Sequence, residues 1–328
     1  MGQRIGERQR WAWLLAGESA LVATCACGMD WIWIVAAAAI VSGYYIYIER
    51  YLGSAGLSAI ICAKFGKAGK GILLLTLVWL VVLAAWSANL ADAAYPMVDG
   101  YPVLGWTVLA MAAWGSWKGA AVCAGCVGVL CLFLLGLYGT VSAFAVPDIT
   151  LAYLIPQGQW KSLGLVMGLL LVPAAIWYLP CKRTREELPW KTALLLPVGA
   201  GLLGAVTVGV LSPALARSLA SPLYTVAQSV SVFGVVERIE PLLSAAMTMG
   251  AFCLLAVLAC AAGRLSQNIW DVKWGGPICC LAAGIGMKWI GKINLQWITV
   301  GNIVFYVAIP ICTMKIKAGK KNGSSNGG

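Results

Sequence analysis

Glu18 is the one carboxylate set well inside an apolar run of this chain, residues 11–28. It lies seven residues past Trp11, about 10 Å along a helix that rises 1.5 Å per residue. A charge at that depth of a bilayer costs on the order of 3 kcal/mol, so such a group faces other helices or a water-filled cavity rather than lipid. Two readings follow. In one, Glu18 coordinates an ammonium group or another cation, or couples a proton. In the other it is protonated, or bonded to a neighbouring helix, and serves packing. Asn89 and Asp92 fall near the end of another apolar run. There they either line a vestibule or meet interfacial water. Trp86, Trp177 and Tyr178 can wall an amine with their ring faces. Anchoring at the membrane interface accounts for them equally well.

Other chemical motifs carry less. The chain has twelve cysteines and no histidine. Cys123 and Cys126 form a C-x-x-C, a pattern that elsewhere marks metal or redox chemistry. Here it sits inside an apolar run without a second such pair, so the cysteines are read as small apolar residues. Residues 199–204 read GAGLLG, but a dinucleotide fingerprint needs a preceding strand and this stretch lies in an apolar helix. Residues 286–293 read GMKWIGKI and lack the final Ser or Thr of a phosphate loop. No metal, no cofactor and no enzymatic activity are expected.

The elements that hold these residues follow from composition. Of 328 residues, 61% are hydrophobic and 11% charged, against roughly 25% charged in soluble domains. Long apolar runs, such as residues 71–85 and 125–138, exclude the alternating strands of a membrane barrel. An all-α integral membrane protein of about ten transmembrane helices is expected, at 11–28, 31–49, 71–95, 101–117, 119–144, 162–180, 191–210, 241–263, 275–291 and 294–314. Residues 1–314 form a single transmembrane domain, and 315–328 form a polar cytoplasmic tail. This model puts 18 of the 23 basic residues on the side of both termini. Only Lys161, Arg217, Arg238, Lys288 and Lys292 fall on the other, so both termini are assigned to the cytoplasm. The net charge of +11 is thus a topology signal, and no nucleic-acid partner is implied. Between helices seven and eight, Leu223, Val226, Val230 and Phe233 recur at helical spacing with Gln228 and Ser231 off that face. This predicts a short helix lying on the membrane, opened by Pro222.

Three stretches resemble the spore-germination permease family, the B subunits of nutrient-germinant receptors, within the amino acid–polyamine–organocation superfamily. Residues 221–252 hold a proline, an aromatic, a short amphipathic helix and then Glu237-Arg238-Ile239-Glu240. Met29-Asp30-Trp31-Ile32 is similar to the family's opening of helix two. Phe65-Gly66-Lys67-Ala68-Gly69-Lys70 is similar to its loop before helix three. The chain departs from the family at residues 115–121, which read GSWKGAA, and in helix six, which reads LLVPAAIWYLP.

The resemblance implies a five-plus-five inverted-repeat bundle with a mid-membrane ligand site where helices one and six are broken. Helix one carries Gly17, Glu18 and Ser19 there, and helix six carries Pro173, which removes a backbone donor. The ligand would be a small nutrient, an amino acid, held between helices one, three, six and eight by Gly17, Glu18, Ser19, Trp86, Asn89, Pro173 and Trp177. Glu237, Arg238 and Glu240 would form a structural latch, the alternative being a solvated charge cluster. The partners implied are the lipid bilayer of the spore inner membrane, a larger membrane subunit and a lipoprotein. A secondary amino-acid transporter, and a structural membrane subunit with a degenerate site, are the other functions that fit.

Overall fold

The computed structural model describes residues 4–52, 54–93, 103–156, 160–182, 190–219, 221–229, 240–290 and 293–315. Helix dominates them, as it must where lipid offers backbone amides and carbonyls no partner. The chain runs through α1 (Glu7–Leu21), which widens into a π turn over Val22–Ala26, then α2 (Trp31–Leu52), α3 (Leu57–Phe65) and α4 (Lys67–Ala93). It continues with α5 (Val103–Lys118), α6 (Ala120–Ala145) and α7 (Lys161–Leu170), which passes into a 3₁₀ helix over Val172–Tyr178. Then come α8 (Trp190–Leu211), α9 (Pro213–Ser218), α10 (Pro222–Ser229), α11 (Glu240–Trp270) and α12 (Gly275–Ile290). The last stretch is α13 (Leu295–Ile303), a π turn over Val304–Ala308, and α14 (Ile309–Lys315).

Among the described residues, seven helical segments are long and apolar enough to cross a membrane. The chain is therefore an all-α membrane protein. Leu75 and Leu132 are 63% and 73% exposed, which water would penalise and acyl chains do not. The seven differ in depth within the bundle. Of the span in α11, 72% is buried, against 28% for that in α6, so α11 is the central helix and α6 a lipid-facing one.

Small residues set how closely these helices approach. A Cβ on Gly250 of α11 would lie 2.5 Å from Ala20 Cβ of α1, and one on Gly201 of α8 would lie 2.5 Å from Val35 Cγ2 of α2. Lipid supplies no hydrophobic drive between helices, so close backbone approach is what stabilises them. A two-residue parallel pair ties the chain start to the segment after α7. Ile5 and Gly6 (β1) lie against Cys181 and Lys182 (β2), and the Ile5 amide donates to the Pro180 carbonyl at 3.2 Å.

Several elements differ from expectation. Helix α3 lies where the sequence implied only a loop. Its short apolar face buries Leu57 and Ile61, a signal too brief for helical periodicity to stand out. Helix α11 runs to Trp270, seven residues past the expected end. The predicted surface helix is present as α10, and a further short helix, α9, precedes it. Pro222 opens α10, Leu223 and Val226 are buried and Gln228 is exposed, while Val230, Ser231 and Phe233 lie outside the described residues.

Candidate functional site

The site begins at the break in α7. The natural partner of the Leu169 carbonyl is the amide of Pro173, which has no hydrogen to donate. Ala174 N instead donates to the Leu171 carbonyl at 3.0 Å, the tighter 3₁₀ spacing. That shift releases carbonyls that lipid cannot satisfy, and side chains take them. The Tyr45 hydroxyl donates to the Leu170 carbonyl at 2.6 Å and Asn302 Nδ2 donates to the Gly168 carbonyl at 2.8 Å. Trp79 Nε1 in turn donates to Asn302 Oδ1 at 3.0 Å. The π turn of 304–308 is covered similarly, by Tyr178 donating to the Phe305 carbonyl at 3.3 Å and by Tyr44 donating to the Tyr306 carbonyl.

Helix α1 packs against this break without being broken at the expected point. It is continuous α-helix through Gly17, Glu18 and Ser19, and its irregular part is the π turn that follows. The reason is steric. A Cβ on Gly17 would sit 2.9 Å from Pro173 Cγ and 3.1 Å from Leu254 Cδ2. Gly17 therefore makes room for the proline ring rather than for a kink. Ser19 Oγ donates to the Ala16 carbonyl at 3.0 Å, within the helix.

Glu18 is 2% exposed. Neither carboxyl oxygen has a well-formed hydrogen bond among the described residues, although the Tyr45 hydroxyl, which donates to the Leu170 carbonyl, is close enough to act on it. On its other side lies a cavity of about 120 Å³ between α1, α6 and α8. Tyr138 and Ser142, one turn apart on α6, also line it, and their hydroxyls too have no partner among the described residues. Gly199 leaves the space open, since a Cβ there would meet nothing within 4 Å. Three buried, unpartnered polar groups around one void are unusual, because each costs about 1–3 kcal/mol. An uncompensated carboxylate here would cost more, so the site calls for a proton or a cationic guest. The void has room for a few waters or one small cationic group.

Below Glu18, Arg10 is fully buried. Its guanidinium lies 4.9 Å from the Trp177 ring centroid, 3.8 Å from Glu49 Oε1 and donates to the Leu179 carbonyl at 3.0 Å. Trp177 also meets Tyr45, with ring centroids 5.8 Å apart. This cluster clasps the start of α1 to the end of the 3₁₀ helix. At the opposite end of α1 an open vestibule of about 470 Å³ lies beneath α9 and α10. Asp30 and Arg217 pair across it at 2.7 Å, and Thr24, Cys25 and Lys161 share its wall.

Among the residues the sequence singled out, the structure brings Gly17 against Pro173, and Glu18 and Trp177 each beside Tyr45. It sends Asn89 elsewhere, with Nδ2 donating to the Ala85 carbonyl at 2.8 Å and to the Met287 carbonyl of α12 at 3.4 Å. Trp86, buried one turn earlier on α4, does not line the Glu18 cavity. Asp92 Oδ1 accepts the Gly105 amide at 2.9 Å, in the first turn of α5. Glu237 and Arg238 of the expected latch lie outside the described residues, and Glu240 is the first residue of α11. Gly201 and Gly204 of the GAGLLG stretch pack on α2, as helix-contact glycines do. The chain matches no family model and no curated protein.

Sequence reasoning missed Tyr45, Tyr138, Ser142, Arg10 and Glu49 as partners. The i, i+4 spacing of Tyr138 and Ser142 within an apolar run was the one available signal for a polar stripe. Arg10 and Glu49 read as terminal charges because sequence position puts both at helix ends.

Proposed function

We propose that this chain is the permease-like membrane subunit of a spore nutrient-germinant receptor, with no enzymatic activity. Two sets of five crossings build it. The first is α1, α2, α4, α5 and α6, and the second is α7 with its 3₁₀ extension, α8, α11, α12 and α13–α14. That is about ten transmembrane helices related as an inverted repeat, with both termini in the cytoplasm and the bilayer being the spore inner membrane. The first helix of each five loses α geometry part-way, which supports a transporter-like site at that level.

The observation that carries the reading is the buried Glu18 carboxyl, without a well-formed hydrogen bond among the described residues, beside a void lined by two hydroxyls that also have none there. A carboxyl so placed recognises the ammonium group of a small nutrient such as an amino acid. Signalling requires that the nutrient bind one conformer better than the other. The conformer shift is read by a larger membrane subunit and a lipoprotein, the two partners of the receptor. The direct test is nutrient-triggered germination of spores carrying Glu18→Gln, with the subunit's level verified. A weakened response to one nutrient at normal protein level is expected. An unchanged response overturns the assignment.

The same carboxyl favours a second reading, a secondary amino-acid transporter in which Glu18 couples a proton or cation. Uptake of labelled amino acid by the chain alone in proteoliposomes separates the two, since a receptor subunit needs its partners to respond.

A further inference from the structure

The geometry points to a second binding site, for the phosphate of an anionic phospholipid headgroup, at the bundle end that the positive-inside rule assigns to the cytoplasm. A pocket of about 240 Å³ opens there between α5, α6 and α11. Lys118, Arg264 and Lys273 line it, and among the described residues no acidic side chain does. Three like charges around one small volume repel each other, so an anion completes the site. Arg264 turns Nη1 to Gln267 Oε1 at 3.3 Å, while its Nε is buried with no partner among the described residues.

Backbone amides add to this field. Gly119, at φ 114°, reverses the chain between α5 and α6 and brings the start of the 26-residue α6 to the pocket wall. The Gly119 amide is used, donating to the Gly115 carbonyl at 3.1 Å, and its own carbonyl accepts the amides of Val122 and Cys123. The amides of the helix's first turn and its dipole then favour a negative group. The surroundings fix the depth. Trp117 and Trp274 stack at 5.1 Å, Lys118 lies 5.8 Å from the Trp114 ring, and all three indoles are more than half exposed. Exposed indoles beside lysines mark the headgroup layer, and basic pockets between helices there hold anionic lipid heads. A lipid phosphate and a free phosphate share this chemistry, so the test must part them.

The purified chain is titrated in neutral-detergent micelles with phosphatidylglycerol, phosphatidylcholine or inorganic phosphate. Retained lipid is read by native mass spectrometry and the unfolding midpoint is followed in parallel. Phosphatidylglycerol is expected to bind more tightly than phosphatidylcholine and to raise the midpoint. Lys118→Gln, Arg264→Gln and Lys273→Gln should each weaken it about fivefold, while Lys288→Gln at the other end leaves it unchanged. If Arg264→Gln does not fold, Arg264→Lys and the wild-type comparison of the two lipids carry the test. Equal retention of both lipids, or unchanged phosphatidylglycerol binding in all the pocket variants, overturns the proposal. Stabilisation by inorganic phosphate without any preference for phosphatidylglycerol assigns the pocket to a soluble anion and overturns the lipid.

Discussion

Replacing Glu49 with glutamine removes the carboxylate paired with a fully buried guanidinium, and its cost follows from the geometry. The pair is 3.8 Å apart, with the two side chains 0% and 9% exposed. At that distance, with an effective dielectric constant near 20, the attraction is about 4 kcal/mol. Removing one partner of a buried pair typically costs 3–5 kcal/mol, because the other charge is left behind. The Glu7 carboxylate, the Trp177 face and the Leu179 carbonyl remain, which puts the expected loss at the lower end, about 3 kcal/mol. The paired change Arg10→Met with Glu49→Leu removes both charges and should return to within about 1 kcal/mol of the parent protein. Titration with sodium dodecyl sulfate in mixed micelles, followed by tryptophan fluorescence, of the parent, Arg10→Met, Glu49→Leu and the double variant gives the four stabilities of the cycle, with Glu49→Gln measured beside them. A loss under about 1 kcal/mol for Glu49→Gln, or a double variant as unstable as the two single losses added together, would refute the clasp.

Three further outcomes follow. Gly199→Leu points a side chain into the Glu18 cavity, where a Cβ meets nothing within 4 Å. It should leave yield and unfolding midpoint intact while abolishing the nutrient response, and a normal response would place the ligand elsewhere. Gly201→Leu drives a side chain into Val35 and should destabilise by about 1–3 kcal/mol in the same detergent titration. Asp30→Asn removes the vestibule ion pair, in which the Arg217 side chain is 28% exposed. Its stability cost should stay below about 1 kcal/mol, while labelling of Cys25 by a membrane-impermeant thiol reagent should quicken as the vestibule loosens.

Much of this molecule was legible one segment at a time. The apolar runs, Glu18 within one of them, Pro173 as the point where a helix must yield, and Pro222 as a helix start are all local facts. Residue type and backbone bonding decide them within a few turns of helix. The same locality explains the errors. Gly17 was open to two readings, a break in its own helix or close helix contact, and it is the second that holds, against a proline more than 150 residues away in sequence. Asn89 looked like a lining residue, yet it is held by a carbonyl of α12.

The sequence by itself determined that the chain is a helical membrane protein and which few polar groups it carries into the bilayer. Hydropathy and the demand for internal backbone bonds are properties of each segment alone. Only the tertiary structure decided which of those groups meet. Glu18 shares a void with Tyr138 and Ser142, and Arg10 is closed in by Glu49 and Trp177. Helix rotation and crossing set these meetings. They depend on where glycines let backbones touch, which is a relation between segments that no single run of residues contains.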